Sequence, residues 1–312
     1  MTAPRHILVV AHARREDTVE AADRVITALH AAGAIPVLAE DDRAELAEVL
    51  PQCGRIAALG IDVPLDDIEL AIVLGGDGTI LRAAEMVRGS AAPVLGINMG
   101  HVGFLAESER DDMDDAVARV IARDYRVEER LALSVRVKSA AGAVIYETWA
   151  LNEATVEKAS RERMLEVVME IDGRPLSSFG CDGVVIATPT GSTAYNFSAG
   201  GPIIWPSVKA IAVVPLSAHA LFAKPLVVDP EASVAIEVLA RTHGTGILWC
   251  DGRRSHELPP GARVVVRQSS RPVRLARLHP PAFTDRLVQK FHLPVTGWRG
   301  PESLPAGSEV PS

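Results

Sequence analysis

Over the first 128 residues, unbroken apolar runs alternate with stretches of helical spacing. The run HILVVAH at 6–12 predicts a buried strand. Residues 16–32 then bring Val19, Ala22, Ile26 and Leu29 to one face, at spacings of three and four. IPVLAE predicts a second strand, 43–50 a short helix, and IELAIVLGG a strongly apolar strand ending in glycines. Residues Thr79 to Arg88 read as helix, PVLGIN as a strand and 111–124 as another helix. Apolar strands separated by helices imply a parallel sheet covered on both faces.

The period changes after DYRVEER. Leu131, Leu133, Val135 and Val137 alternate with Ala132, Ser134, Arg136 and Lys138, as in a half-exposed strand. AAGA at 140–143 and DG at 172–173 are hairpin-turn signals. Val184 to Ile186 is a buried-strand run, Val234, Ile236 and Val238 alternate again, and strand-like runs recur to about Leu278. Between 130 and 280 a short segment near 207–211 is the one helical exception. FTDRLVQKFHL at 283–293 then aligns Phe283, Leu287, Val288 and Phe291 on one helical face. The expected fold is an α/β N-terminal domain with a parallel sheet, then an antiparallel β-sandwich-like domain, with the C-terminal helix packing back on the first. The expected boundaries are 1–128 with the returning helix 282–293, then 129–281, then a disordered Pro-, Gly- and Ser-rich tail at 294–312.

Composition narrows the classes. A chain of 312 residues, 48% hydrophobic and 23% charged, has room for two domains of ordinary globular type. A net charge of -8 argues against a nucleic-acid or membrane-surface binder, while leaving backbone-held phosphate open. Cys53, Cys181 and Cys250 form neither a disulfide framework nor a zinc pattern. The run Ile7 to Ala11 is too brief for a signal peptide or a membrane span, so a cytoplasmic location is expected.

Four stretches could carry chemistry. LGGDGTILRAAE at 74–85 brings a buried strand through a Gly-Gly-Asp-Gly turn to a helix N-terminus. Its N–H groups and dipole favour an anion, most naturally phosphate. Asp77 would repel phosphate, which suggests a different task, accepting a proton from a hydroxyl nucleophile. The alternative is a tight turn with Asp77 capping the next helix. The chain has neither a P-loop nor a GxGxxG fingerprint. GINMGHVGFLAE at 96–107 should neighbour that turn at the carboxyl end of the sheet. There Phe104 either lies against a planar base or belongs to the core.

ALNEATVEKASRERM at 150–164 places Asn152 beside Glu153, an amide and a carboxylate suited to ribose hydroxyls or an adenine edge, or else a strand-end turn. Lys158, Arg161 and Arg163 follow as a basic cluster that meets phosphate or, in the plainer reading, solvent. Finally, ATPTGSTAYNFSAGGP at 187–202 offers the hydroxyls of Thr188, Thr190, Ser192, Thr193 and Ser198, with Tyr195 and Asn196. Asp182 stands in a turn just before this strand and loop. Such a composition suits a large polar ligand and not a core.

Taken together, GGDGT at 75–79, NE at 152–153 and DGVVIATPTGSTAYNFSAGGP at 182–202 resemble the NAD kinase family in order and spacing. GGDGT alone also occurs in diacylglycerol kinases, sphingosine kinases and phosphofructokinases; the 187–202 run separates the NAD kinases from them. The resemblance implies phosphoryl transfer from ATP or polyphosphate to the 2′-hydroxyl of the NAD adenosine ribose, giving NADP. It implies that Asp77 orients that hydroxyl and receives its proton late, because a carboxylate is a far weaker base than an alkoxide. Gly75, Gly76, Gly78 and Thr79 would receive donor phosphate. Asn152, Glu153, Asp182, Thr193, Ala194, Tyr195 and Ser198 would bind NAD, with Phe104 and His219 near it. Mg²⁺ or another divalent cation would travel with the donor phosphates rather than occupy a protein metal site. A dimer or tetramer is implied, through exposed strands of the β domain.

One departure is Cys181, where the family usually has Gly; a positive φ there would be strained. Two competing readings are a lipid kinase, which would need an apolar channel, and a non-catalytic NADP(H) sensor.

Overall fold

The computed structural model describes residues 4–12, 15–47, 56–100, 103–160, 164–221, 223–242, 244–279 and 283–295. Cys53, residues 48–50 of the expected second helix, Arg161, Arg163 and most of the expected tail, 296–312, lie outside them.

The N-terminal half alternates as expected: β1 (His6–Ala11), α1 (Glu16–Ala31), β2 (Ile35–Leu38), α2 (Glu40–Ala47), β3 (Ala57–Ala58) and β4 (Ile68–Leu74). Then come α3 (Asp77–Met86), β5 (Val94–Asn98), β6 (Ser108–Glu109), α4 (Met113–Ala122) and β7 (Arg126–Arg130). β1 explains why these strands are continuously apolar. Its Ile7, Val9 and Ala11 meet Val25, Leu29 and Val117 of α1 and α4, while Leu8 and Val10 meet the side that carries Ile80 and Ala84 of α3. Both faces are covered, so polar alternation is lost.

The second half is antiparallel and folds into two six-stranded sheets. Its first strands are β8 (Leu133–Lys138), β9 (Val144–Ala150), β10 (Glu153–Lys158), β11 (Leu165–Ile171), β12 (Arg174–Cys181) and β13 (Gly183–Ala187). After the single helical turn α5 (Tyr195–Ser198) follow β14 (Ile211–Leu216), β15 (Leu226–Val228) and β16 (Val234–Val238). The series ends with β17 (Gly246–Cys250), β18 (Arg254–Leu258), β19 (Arg263–Gln268), β20 (Val273–Arg277) and α6 (Phe283–Phe291). The sheets run β15-β14-β13-β10-β17-β18 and β12-β11-β16-β19-β8-β9. Leu133, Val135 and Val137 of one and Ala154, Val156 and Leu248 of the other share one core, the expected sandwich.

Three features differ from the sequence expectations. β20 leaves the sandwich and enters the first sheet, whose order is β3-β2-β1-β4-β5-β20-β7, parallel to β5 and antiparallel to β7. The sheets therefore do not divide at 128/129 and 281: β7 spans the first position, and β20 returns before the second. Leu275 and Ala276 are buried there, and one five-residue strand carries no mark of which sheet it joins. No helix forms at 207–211; Val208 N–H bonds the Trp205 carbonyl in a turn and Ile211 opens β14. The unexpected helical turn is α5, within the Gly- and Ser-rich loop whose residues are weak helix formers.

Candidate active site

β4 runs into Gly75 and Gly76, and α3 begins at Asp77. Gly76 occupies the cap position, and no side chain caps the helix. Instead the Asp77 carboxylate reaches the loop after β5, where the N–H groups of Phe104 and Leu105 donate to it at 3.0 and 3.1 Å. A Cβ on Gly103 would strike that carboxylate, and one on Gly75 would lie 2.5 Å from Thr79 Oγ1. The loop itself is clamped, since Arg277 donates to the Leu105 carbonyl at 3.2 Å and to Glu107 at 3.0 Å, with both side chains buried. Arg286 of α6 adds a second cation 3.8 Å from Glu107.

Beside the turn is a cavity of about 640 Å³, lined by Gly76, Gly78, Thr79, His12, Arg82 and Arg253 among others. Backbone donors at the start of α3 favour an anion there, while the two guanidiniums are paired, Arg82 with Asp42 and Arg253 with Glu85 at 3.1 Å. Asp41, Asp42 and Glu45 also line the cavity. Burial pushes the Asp42 carboxyl up, and Arg82 at 2.5 Å opposes this.

The second element of the site is β10. The two-residue period sends Ala154 and Val156 into the sandwich core and leaves Glu153, Thr155 and Glu157 on the outer face. There they line a groove of about 450 Å³ with Tyr195, Trp249 and Gly252. Glu153 is only 7% exposed, and its Oε2 has no hydrogen-bond partner among the described residues. Burial pushes its pKa up to about 8, the Asp251 charge adds to this, and the Tyr195 N–H opposes it. Glu153 therefore largely keeps its proton at neutral pH and can donate a hydrogen bond.

Asp251 is the functional residue that sequence reasoning missed. It is buried, and it accepts the Leu151 N–H at 2.9 Å, the Asn152 N–H at 2.7 Å and Arg254 Nη2 at 2.8 Å. Its own N–H bonds the Glu153 carbonyl at 3.0 Å. Asp251 thus fixes the backbone of the Asn152–Glu153 turn from a hundred residues away. It has φ +54 and Gly252 has φ +63, so DG at 251–252 is a hairpin signal of the type read at 172–173. Gly252 faces the β10 groove and Arg253 the phosphate-side cavity, which makes this hairpin the junction of the two.

The loop 187–202 folds over the outer face of the same sheet, with Ile204 and Ala210 packed on Val185, Ala187, Ala212 and Val214. Three of its hydroxyls, those of Thr188, Ser192 and Thr193, donate to carbonyls of the protein itself. Thr188 Oγ1 donates to the Leu151 carbonyl at 2.6 Å, and Ser192 Oγ donates to the Pro189 carbonyl at 2.7 Å and accepts the Ile204 N–H at 2.9 Å. Asn196, fully buried, donates to the Ser192 and Pro202 carbonyls at 3.2 and 3.0 Å. A Cβ on Gly191 would overlap the Asn152 carbonyl, so the loop and the Asn152 turn meet backbone to backbone. Among the expected binding residues Tyr195 and Ser198 are exposed and Thr193 and Ala194 half-buried.

Not all the expected site residues converge. In the β10–β13 ladder Glu153 faces Ala187 and Glu157 faces Gly183, so Asp182 lies just past the far end, five residues or roughly 17 Å from Glu153. There Asp182 pairs with Lys158 at 2.5 Å, and hydrogen bonds from Lys158 and Ser217, aided by His219, hold its carboxyl below the usual range. His219 N–H bonds the Gly180 carbonyl, which places His219 in this second cluster. Phe104 packs its ring against Phe283 and Phe291 of α6, at centroid distances of 6.0 and 5.9 Å, and stays half-buried. Cys181 ends β12 with its side chain buried and without a positive φ, so its replacement of Gly strains nothing. Burial pushes the Cys181 and Cys250 thiols up to about 12, which leaves them unreactive.

This arrangement has known counterparts. Residues 7–125 match the model of the ATP-NAD kinase N-terminal domain, and residues 151–278 match that of the ATP-NAD kinase C-terminal domain. An NAD kinase of Leifsonia xyli is 66% identical over 97% of this chain and 99% of its own length. A protein named NAD kinase 2 of Streptomyces coelicolor is 56% identical over 95% of this chain and 97% of its own. Among solved structures, a yeast NADH kinase complexed with NADH shares the fold at a TM-score of 0.84 and 24% identity, over 95% of this chain and 90% of that one. An NAD kinase from Archaeoglobus fulgidus in complex with ATP does so at 0.69 and 23%, over 92% and 98%. With a two-domain match and relatives this similar along almost its entire length, the chain belongs to the ATP-NAD kinase family.

Proposed function

We propose that the chain binds a phosphoryl donor, ATP or polyphosphate, at the GGDGT cavity and NAD along the β10 groove, and phosphorylates the 2′-hydroxyl of the NAD adenosine ribose to give NADP. The observation that carries this reading is the junction at Gly252 and Arg253, consecutive residues that face the groove and the phosphate-side cavity respectively. A donor and an acceptor held on either side of that hairpin would meet near the Asp77 turn.

In this mechanism Asp77 is fixed by the Phe104 and Leu105 N–H groups, and each carboxylate oxygen keeps a further lone-pair direction for the attacking hydroxyl. The proton passes to it as the O–P bond forms, the order suited to a loose transition state. Gly75, Gly76, Gly78 and Thr79, at the start of α3, would cradle donor phosphate, with Arg82 and Arg253 balancing its charge. Protonated Glu153 would donate to the acceptor, and Asn152, Thr193, Ala194, Tyr195 and Ser198 would complete its enclosure. Asp182 and His219, at the far end of the β10 ladder, would take the distal part of the dinucleotide.

Among the described residues no three His, Cys, Asp or Glu side chains form a metal-binding group. The reading keeps Mg²⁺ on the donor phosphates, where it would offset their charge. A homo-oligomer, dimer or tetramer, is part of the reading, with the exposed Val144 and Ile145 of edge strand β9 available to a second copy. A cytoplasmic location is also proposed; among the described residues no helix is long and apolar enough to cross a membrane.

The test is NADP formation from NAD with ATP or polyphosphate in parallel reactions containing Mg²⁺. Product with either donor supports the reading and identifies the donor. Tight NAD or NADP binding without product would overturn it in favour of the sensor.

A further inference from the structure

A second cavity, of about 350 Å³, lies at the opposite end of α3 from Asp77. Ten helical residues, about 15 Å, separate the two ends. Val87, Pro272 and Val273 give the cavity an apolar side, and Arg88, Arg271 and Arg274 give it three guanidiniums.

Their partners do not account for their charge. Arg88 donates to Ser269 Oγ at 2.9 Å and to the Pro272 carbonyl at 3.3 Å, and lies 4.3 Å from the Trp149 ring centroid. All three contacts are with neutral groups. Among the described residues no carboxylate stands within ion-pair distance of Arg88 or Arg271; only Arg274 has one, Glu129 at 3.2 Å. Arg88 is also partly desolvated. Burial holds its guanidinium below the ordinary value, repulsion from Arg271 and Arg254 adds to this, and only the more distant Asp251 charge opposes it. Like charges gathered at a half-apolar cavity are unfavourable unless a ligand neutralises them, and guanidiniums match carboxylate and phosphate oxygens in bidentate geometry.

We infer that this cavity is a second ligand site, for a small multivalent oxyanion with a short apolar body, held by Arg88, Arg271 and Arg274. It is separate from the donor cavity and does not depend on the kinase reading. Its ligand would join the end of α3 to the segment leading into β20, which lies between β5 and β7 in the first sheet.

The experiment is calorimetric titration of the full chain with citrate and, separately, with pyrophosphate, each with and without saturating ATP to occupy the donor cavity. The variants are Arg271→Glu and the milder Arg271→Ala, because the Arg271 side chain is exposed and has no ion pair among the described residues. At least one anion should bind the wild type with ATP present. Arg271→Glu should weaken that binding tenfold or more, and Arg271→Ala several-fold, with unchanged melting temperature and unchanged NADP formation in anion-free buffer. Citrate binding alone would identify a polycarboxylate ligand, and pyrophosphate binding a phosphorylated one. Failure of both anions to bind with ATP present, or equal binding by Arg271→Glu, would overturn the inference.

Discussion

The two sides of the candidate active site are built in opposite ways. The phosphate side centres on one local stretch, Gly75 to Thr79, in which two glycines join β4 to the first residues of α3, and its anion-binding capacity comes from backbone groups that any glycine-rich turn at a helix start would present. The β10 groove is assembled from three separate stretches: β10 with the Asn152–Glu153 turn, the loop at 187–202, and the hairpin that carries Trp249, Asp251 and Gly252. Its central carboxyl, Glu153, is buried and lacks a partner on one oxygen among the described residues. The turn thus presents backbone donors to an open cavity, while the groove is strained electrostatically around a buried carboxyl. A charged ligand can be held by an open turn, but selection of a neutral hydroxylated surface requires a desolvated and fixed one.

The comparison breaks hardest at Asp77. Asp77→Asn should lower kcat by roughly 10²–10⁴-fold while NAD affinity and melting temperature change little, as steady-state kinetics and direct binding would measure. Near-normal turnover would take the proton acceptor out of the phosphate-side turn.

Glu153 sharpens the groove side through pH. Its folded pKa, about 8, stands above the ordinary 4.5, so the folded chain holds a proton that the unfolded chain has released. The contribution is fully present below about pH 4.5 and is lost as pH rises through about 8, a fall of at most about 4–5 kcal/mol. Glu153→Gln should flatten that part of the stability profile in denaturant titrations between these limits. An unaltered slope would mean that folded Glu153 is already ionised.

A smaller effect separates glycines by their surroundings. Gly191→Ala drives a methyl into the Asn152 carbonyl and should cost about 1–3 kcal/mol, with weaker NAD binding. Gly76→Ala has open space and ordinary extended backbone, and should alter stability by no more than about 0.5 kcal/mol. Thermal melts of both variants would show the difference, and equal losses would remove the steric argument.

A modest effect is expected at α6, where Phe291 stacks on Phe197 at 4.4 Å and touches Phe104. Phe291→Ala should remove roughly 0.5–1.5 kcal/mol of ring–ring contact beyond area burial. A modest fall in melting temperature with a larger change in KM than in kcat would place α6 on the groove side.

The sequence was read correctly where the physics is local. Strand β4 and its turn were legible because five consecutive apolar residues, Leu70 to Leu74, followed by Gly-Gly-Asp-Gly specify both burial and an abrupt change of backbone direction. The sandwich strand β8 was legible from strict alternation. The roles inside 187–202 were not, because a threonine or serine hydroxyl looks the same whether it donates to a ligand or, like Thr188 and Ser192, to a carbonyl of its own framework. Phe104 was undecided for the same reason: an aromatic ring carries no mark of whether its neighbour is a base or Phe283.

By itself, then, the sequence determined the alternating parallel layer, the antiparallel layer that follows it, the anion-binding turn and the motif set shared with the NAD kinase family. Each of these rests on spacing over a few residues or on motifs in order. Tertiary structure alone decided that β20 completes the first sheet, that Asp251 supports the Asn152 turn and that Asp182 lies a ladder's length from Glu153. It also decided that Arg88, Arg271 and Arg274 gather behind α3. These are relations between residues far apart in the chain, fixed by strand register and by the burial of apolar faces, and no local pattern records them.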